Sequence, residues 1–476
     1  MSVPILKTSG LPFLRIATLI LLGCMAWIGC ADAPPERPNI VLVTVDTQRA
    51  DRLGSYGYPK STTRFLDSLA VDGIRFERAY SASSWTVPSV VSLLTSLNPT
   101  VHGVERGLFL AGEVTQQEAI PESVAVLPEL LRERGYTTFG VTANEHLAAR
   151  FGFDRGFDRY ECLGVANADE LMGVVARWNE EITASAPYFL WLHLLDPHAP
   201  YFFHDSQRDF YGPRAGLVKR FESLTPWSLS NQRVSKRSVK FAALNALYDG
   251  EIRHTDTALA DIFASLGVDG GDLVIVTSDH GEEMLDHDGF GHGESLFEEV
   301  IRVPLIVRFP GGEMAGTTVQ SPVRLIDVVP TILEAVGVEV PEAMQGRGLK
   351  GSIDGSDVVE RDVVASLARI PGKNLKSLTI GEWKYIHDHL HPEADRLFNV
   401  VRDPSESKNL LSAESERAQR MRSRLDEILD EEAARRLVAR EVQVSSDQVE
   451  QLKALGYVAP EASADNAQEP GESTRD

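Results

Sequence analysis

Cysteine is almost missing: the 476 residues hold three, and two of them, Cys24 and Cys30, fall within the first thirty positions. Cys162 is left alone in the body, which excludes a disulfide framework and a Cys-based zinc site. Positive charge is also scarce. Lys and Arg number 47 against 69 Asp and Glu, a formal charge of −22. Nucleic acid is therefore excluded as a partner, because phosphate backbones are gripped through clustered Lys and Arg. The N-terminal apolar run, Ile16 to Ile28, is too short to span a bilayer comfortably, and internal repeats are lacking. Hydrophobic residues, by contrast, make up 43% of the chain. That is enough for a large core and excludes an intrinsically disordered chain.

The first thirty residues have the pattern of an export leader. Lys7 and Arg15 precede the apolar run, and Ala31 to Pro38 then turns abruptly polar. Two cysteines are open to lipidation. Leu21-Leu22-Gly23-Cys24 is the better local match to a bacterial lipobox, whereas Cys30 is better placed, directly before the polar tether. A plain cleaved signal peptide and an uncleaved anchor are the other readings. All of them put the body outside the cytoplasm, and lipidation would tie it to a membrane.

From Asn39 onward, short apolar runs alternate with helical patterns, which predicts a mostly parallel α/β sheet flanked by helices. Strands are expected at Asn39–Val45, Thr137–Val141, Tyr188–Leu195, Leu273–Thr277 and Val303–Val307. Helices are expected at Thr63–Asp72, Val87–Leu97, Ala125–Arg134, Asp169–Ala184 and Ala242–Leu266. Phe202–Lys240, polar and aromatic without a period, is expected to form a lobe over the sheet. The pattern changes after Glu342: Leu378–His387 suggests a strand and Glu414–Glu432 a charged helix. The expected organisation is a leader (1–30), a tether (31–38), a main α/β domain (39–341), a smaller C-terminal α+β subdomain (342–457) and a disordered tail (458–476).

Three apolar runs end in an aspartate: Val41–Val45 in Asp46, Phe189–Leu195 in Asp196, and Val274–Ser278 in Asp279. One strand-end Asp is ordinarily a turn former or a helix cap. Three together, with His198 and His280 close behind, suggest a metal site at the carboxyl ends of parallel strands. Thr86 just before an apolar helix, with Pro88 in its first turn, is a natural N-cap. The same place also suits a nucleophilic hydroxyl, since a helix N-terminus favours anions. The dense GEEMLDHDGFGH stretch, with Glu282, Glu283, Asp286 and Asp288, is expected to be a solvated loop.

Five segments occur in an order that resembles the sulfatases of the alkaline-phosphatase-like superfamily. They are Asn39–Gly54 (NIVLVTVDTQRADRLG), Trp85–Ser96 (WTVPSVVSLLTS), His193–Tyr201 (HLLDPHAPY), Ser278–Glu282 (SDHGE) and Gly291–Pro304 (GHGESLFEEVIRVP). Arg396–Leu410 and Leu452–Tyr457 resemble sulfatase C-terminal segments, so the likeness covers about residues 38–457. It implies the alkaline-phosphatase-like fold and hydrolysis of sulfate- or phosphate-type esters. The departures matter as much. A sulfatase would carry Cys or Ser at Thr86, oxidised to formylglycine, and Arg at Val90. It would also carry Asp at Thr47, Lys at Asn144 and Asn at His280. Oxidised threonine would give a ketone rather than an aldehyde, so no formylglycine is expected here.

The resemblance and these departures imply a metal held by Asp46, Thr86, Asp279 and His280, with Thr86 attacking directly. The added imidazole favours Mn²⁺ or Zn²⁺ over the Ca²⁺ of sulfatases. His146 and His198 would orient substrate or protonate the leaving group. Asn144 and His292 would bind substrate. His292 with Asp196 and His198 would hold a second metal, if there is one. Lost Arg and Lys weaken the case for a sulfate ester and favour a phosphodiester or phosphonate ester of a small molecule, glycan or lipid headgroup. A phosphoryl-headgroup transferase and a catalytically inert binding lipoprotein are the alternatives.

Overall fold

The computed structural model describes Met1 and residues 37–106, 109–111, 114–223, 234–357, 360–368 and 373–454. The leader with Cys24 and Cys30, most of the tether, and the tail lie outside these residues. From Pro38 the chain forms one unit. No helix among the described residues is long and apolar enough to cross a membrane.

Eight strands build the central sheet: β1 (Ile40–Val45), β2 (Ile74–Phe76), β3 (Thr137–Thr142), β4 (Arg159–Cys162), β5 (Tyr188–Leu194), β6 (Leu273–Ser278), β7 (Leu305–Arg308) and β8 (Thr317–Val319). Their spatial order is β8-β2-β7-β6-β1-β5-β3-β4. The run from β6 to β4 is parallel, whereas β7 is antiparallel to both β6 and β2. The strand expected at Val303–Val307 is broken by Pro304, which has no N–H for a ladder. Arg302–Val303 pairs instead with Ala79–Tyr80, and only Leu305 onward joins the sheet.

Strand β1 is buried along its whole length, as expected of a parallel strand covered on both faces. Its period of two divides the core. Ile40 and Leu42, with Phe189 and Trp191 of β5, pack on the side of helices α2 (Thr86–Thr95), α3 (Leu127–Glu133) and α6 (Val328–Ala335). Val41, Val43 and Val45 pack on the other side, against α1 (Arg64–Val71), α4 (Ala168–Ala184) and α5 (Val239–Leu266). Asn167 and Glu170 close a capping box at the start of α4, and Ser238 caps α5 through the Phe241 N–H. Of the lobe expected over Phe202–Lys240, residues 224–233 lie outside the described residues; Phe203 and Tyr211, with Tyr201, form an aromatic cluster with Leu244, Leu247 and Tyr248 of α5.

The C-terminal sheet has four antiparallel strands, β9 (Val363–Leu367), β10 (Leu375–Ile380), β11 (Trp383–Asp388) and β12 (Arg396–Asn399). The single strand expected at Leu378–His387 is a hairpin, turned at Gly381 with φ +55°, a backbone state that glycine adopts without strain. Alternation joins the two layers. Val363, Ala365 and Leu367 of β9 pack into the main core, while Val364 faces helix α7 (Ser415–Ala433).

Candidate active site

The register of the sheet gathers the site. Val45 lies level with Leu194 on one side and Ser278 on the other, so Asp46 and Asp279 leave neighbouring strands at one height. Both are fully buried. The next strand supplies His193, one residue before the end of β5 and paired in register with Thr44. One ligand atom each from Asp46, His193 and Asp279 lie within 4.8 Å of one another. Asp46 Oδ1, Asp279 Oδ2 and His193 Nε2 are buried without a hydrogen-bond partner. Three orphaned polar atoms facing one another are costly unless a cation lies between them.

Local hydrogen bonds set the imidazoles for that task. Thr44 Oγ1 contacts His193 Nδ1 at 2.8 Å, the Trp191 indole N–H at 3.1 Å and Leu192 O at 3.3 Å. Accepting from both rings and donating to the carbonyl satisfies the hydroxyl and leaves His193 Nε2 with its lone pair, 3.5 Å from Asp46 Oδ2. His280 Nδ1 donates to Gly281 O at 2.9 Å. Its Nε2 then faces Asp46 Oδ1 and Asp279 Oδ2, each at 3.5 Å, and Thr86 Oγ1 at 3.3 Å. Burial pushes His280 well below the ordinary range, so the ring is neutral. Burial and the charge of Asp46 drive Asp279 well above the carboxylate range. Two carboxylates and two imidazole nitrogens are a donor set that fits a divalent cation; such an ion would neutralise the acids and activate an adjacent hydroxyl.

Thr86 is the first residue of α2, and the extended Trp85 is its N-cap. The expected capping role for Thr86 is therefore corrected. An N-cap needs non-helical φ/ψ, whereas Thr86 is already helical and its hydroxyl turns to His280. Asn144 donates through Nδ2 to Asp46 Oδ2 at 2.8 Å and accepts the His146 N–H at 3.0 Å, so its amide is anchored beside the donor set. His146 donates from Nδ1 to Gln117 Oε1 at 2.6 Å, and Gln117 returns Nε2–H to His146 O. His198 donates from Nδ1 to Ala199 O at 2.6 Å. The His292 ring sits 4.4 Å from that of His280 and 5.0 Å from that of His198.

Asp196 does not join this group. Its Oδ2 accepts the Ala168 N–H at the start of α4, at 2.7 Å, and its carboxyl meets Glu251 of α5. Ending an apolar run did not suffice, because β5 closes at Leu194 and Asp196 lies two residues into the turn. Of the expected solvated loop, Asp286 and Asp288 are exposed, but Glu282 and Glu283 correct the expectation: the first is fully buried and the second nearly so. Glu282 accepts from His292 Nδ1 at 2.9 Å and from Tyr201 OH at 3.2 Å. His193, Gln117 and Glu282 escaped the sequence reading. A signal existed for His193, which shares the parity of Phe189 and Trp191 on the face that α2 covers. Val90 lies in the core beneath α2.

The sulfatase family profile matches residues 38–338, and the profile of the N-sulphoglucosamine sulphohydrolase C-terminal region matches residues 287–435. An ulvan-active sulfatase of Formosa agariphila is 24% identical, over 86% of this chain and 84% of its own. The structure of a 2-O GAG sulfatase superposes with a TM-score of 0.68 at 18% identity, over 85% of this chain and 95% of that one. The phosphonate monoester hydrolase of Agrobacterium radiobacter superposes with a TM-score of 0.65 at 21% identity, over 84% of this chain and 96% of that one.

Proposed function

Because the chain belongs to the sulfatase family of ester hydrolases, we propose that it is a metal-dependent hydrolase in which Thr86 itself is the nucleophile. The preferred substrate is a phosphodiester or phosphonate ester. One observation carries this reading: the partnerless Asp46 Oδ1, Asp279 Oδ2 and His193 Nε2 converge beside Thr86 Oγ1 and His280 Nε2. An ion held by Asp46, His193, Asp279 and His280 would supply Lewis acidity and lower the pKa of the Thr86 hydroxyl. Thr86 gives its hydroxyl proton to His292, which like Thr86 lies beside His280, and its Oγ1 attacks phosphorus as the bond to the ester oxygen breaks. His146 or His198 delivers a proton to the departing oxygen. Water cleaves the Thr86 ester and restores the hydroxyl.

Two features favour phosphorus over sulfur. Residue 86 is not one that formylglycine chemistry uses, and the cationic positions of the sulfatase pattern are filled by Val90, in the core, and Asn144, bound to Asp46. The test strips the protein of metal, restores Ca²⁺, Mn²⁺ or Zn²⁺ in turn, and offers an aryl sulfate, an aryl phosphate diester and an aryl phosphonate. Diester or phosphonate turnover with Mn²⁺ or Zn²⁺, abolished in Thr86→Ala, supports the reading. Thr86-dependent sulfate turnover overturns the substrate preference, and turnover that survives Thr86→Ala overturns the nucleophile.

A further inference from the structure

Resting on that reading, we propose that Glu282 is a positioning residue that fixes the tautomer and direction of His292, and through it the proton-accepting nitrogen that His292 presents to the reaction. Glu282 lies in the turn after β6, with no exposed surface. Its backbone is pinned by Arg49, whose Nη1 donates to Glu282 O at 2.9 Å. Its carboxylate has two partners from two loops. Oε1 accepts from His292 Nδ1 at 2.9 Å, and Oε2 accepts from Tyr201 OH at 3.2 Å. Tyr201 stands three residues beyond His198, so one side chain ties together the loops that carry His198 and His292.

The consequence is chemical. In its ionised form Glu282 accepts only, so the proton of a neutral His292 then sits on Nδ1. Nε2 then carries the lone pair, on a ring packed between those of His198 and His280. A carboxylate behind a histidine selects tautomer and azimuth at once, and deleting such a partner costs roughly 10–100-fold in activity. Without Glu282 the ring loses the acceptor that holds its Nδ1 proton and sets its direction between His198 and His280.

The test compares Glu282→Ala, Glu282→Gln, His292→Ala and the Glu282→Ala/His292→Ala double variant in the full metal-loaded protein. Melting temperature and bound metal are measured on each. Glu282→Ala is expected to lower kcat roughly 10–100-fold with KM within about twofold. Glu282→Gln should recover most of that, because its Oε1 still accepts from Nδ1 while its amide faces Tyr201. The double variant should be no slower than His292→Ala, since Glu282 acts through that ring; independent, multiplying losses overturn the proposal. Histidine ¹⁵N NMR gives a readout that needs no substrate: the wild type should show His292 protonated at Nδ1, and Glu282→Ala should lose that state. A wild type with the Nε2-protonated tautomer refutes the positioning even where turnover falls. Failure of Thr86→Ala to abolish turnover would sink the functional reading instead, leaving the NMR result to stand on its own. If Glu282→Ala fails to fold, Tyr201→Phe takes its place, and an unchanged His292 spectrum with unchanged kcat in both Tyr201→Phe and Glu282→Gln counts against the proposal.

Discussion

Replacing Asp279 by Asn should have opposite effects with and without metal. Asp46 and Asp279 present oxygens no more than 4.8 Å apart. At an effective dielectric of about 20, two unit charges at that separation repel by roughly 3.5 kcal/mol. The metal-free protein escapes part of this by keeping Asp279 protonated, driven by burial and by Asp46, so neutralisation returns only the part that protonation has not already relieved. Asp279→Asn removes the charge, keeps the shape, and should raise the melting temperature of the stripped protein. With metal present the order reverses. A ligand at 100 times its Kd adds about 2.7 kcal/mol to the folded state, and a variant that lacks the carboxylate forfeits most of that. The assay is thermal melting at pH 8 of wild type and variant, each in chelator and in excess Mn²⁺ or Zn²⁺. Crossing of the two orders is the expected signature. A stripped variant that melts below stripped wild type would show that the protein itself satisfies Asp279, and the argument for a cation between the orphaned atoms would fall.

Other perturbations separate metal choice from fold stability. Thr47 is buried with φ +57° and a partnerless Oγ1, a backbone state costing a β-branched residue about 1–2 kcal/mol. Thr47→Asn, which tolerates that conformation, should raise the urea midpoint, and a lower midpoint would refute the strain. Thr47→Asp should increase Ca²⁺ affinity by titration calorimetry through the added carboxylate; unchanged affinity would place residue 47 outside the donor set. Burial raises Glu251 to about 8 and Asp196 to about 7, the two lying against each other with His204 Nε2 on Glu251 at 2.7 Å. The folded state therefore holds protons that the unfolded chain releases, so their stabilising contribution is full below about pH 4 and lost as pH rises toward 8. Glu251→Gln should remove about one proton's worth of that slope, roughly 1.4 kcal/mol per pH unit, in denaturation curves taken across the range. A slope identical to wild type would show that Glu251 ionises freely.

The strands that carry the site were legible because parallel, doubly covered strands have a continuous apolar signature, and β1, β5 and β6 hardly differ from their expected limits. The places of Asp46, Thr86, Asp279 and His280 in the fold were legible because strand ends and a helix start are fixed by local pattern. What stayed hidden depends on long-range partners. Asp196 ends an apolar run as convincingly as Asp46 does, but the Ala168 N–H, 28 residues away, draws it to α4. Glu282 stands in a strongly acidic stretch, and its burial depends on the arrival of Tyr201 and His292. Pro304 split a strand and Gly381 turned one. Both residues were visible in the sequence, and either one could have been weighed against the apolar run around it.

The departures at residues 47, 90, 144 and 280 form a connected set rather than separate losses. A carboxylate is missing at Thr47, and an imidazole replaces the amide at His280. The second imidazole, His193, comes from a neighbouring strand. The donor set thus offers two carboxylates and two imidazole nitrogens, and one divalent ion would balance the two acids without a surrounding excess of positive charge. That agrees with the absence of a cation at residues 90 and 144. An arginine at Val90 would bring its charge into the core that α2 covers, at a desolvation cost of several kcal/mol. A lysine at residue 144 would stand where the Asn144 amide meets Asp46, pairing with the carboxylate that the ion needs. On the proposed reading, returning any one of these positions to the sulfatase pattern alone would unbalance the charge of the site.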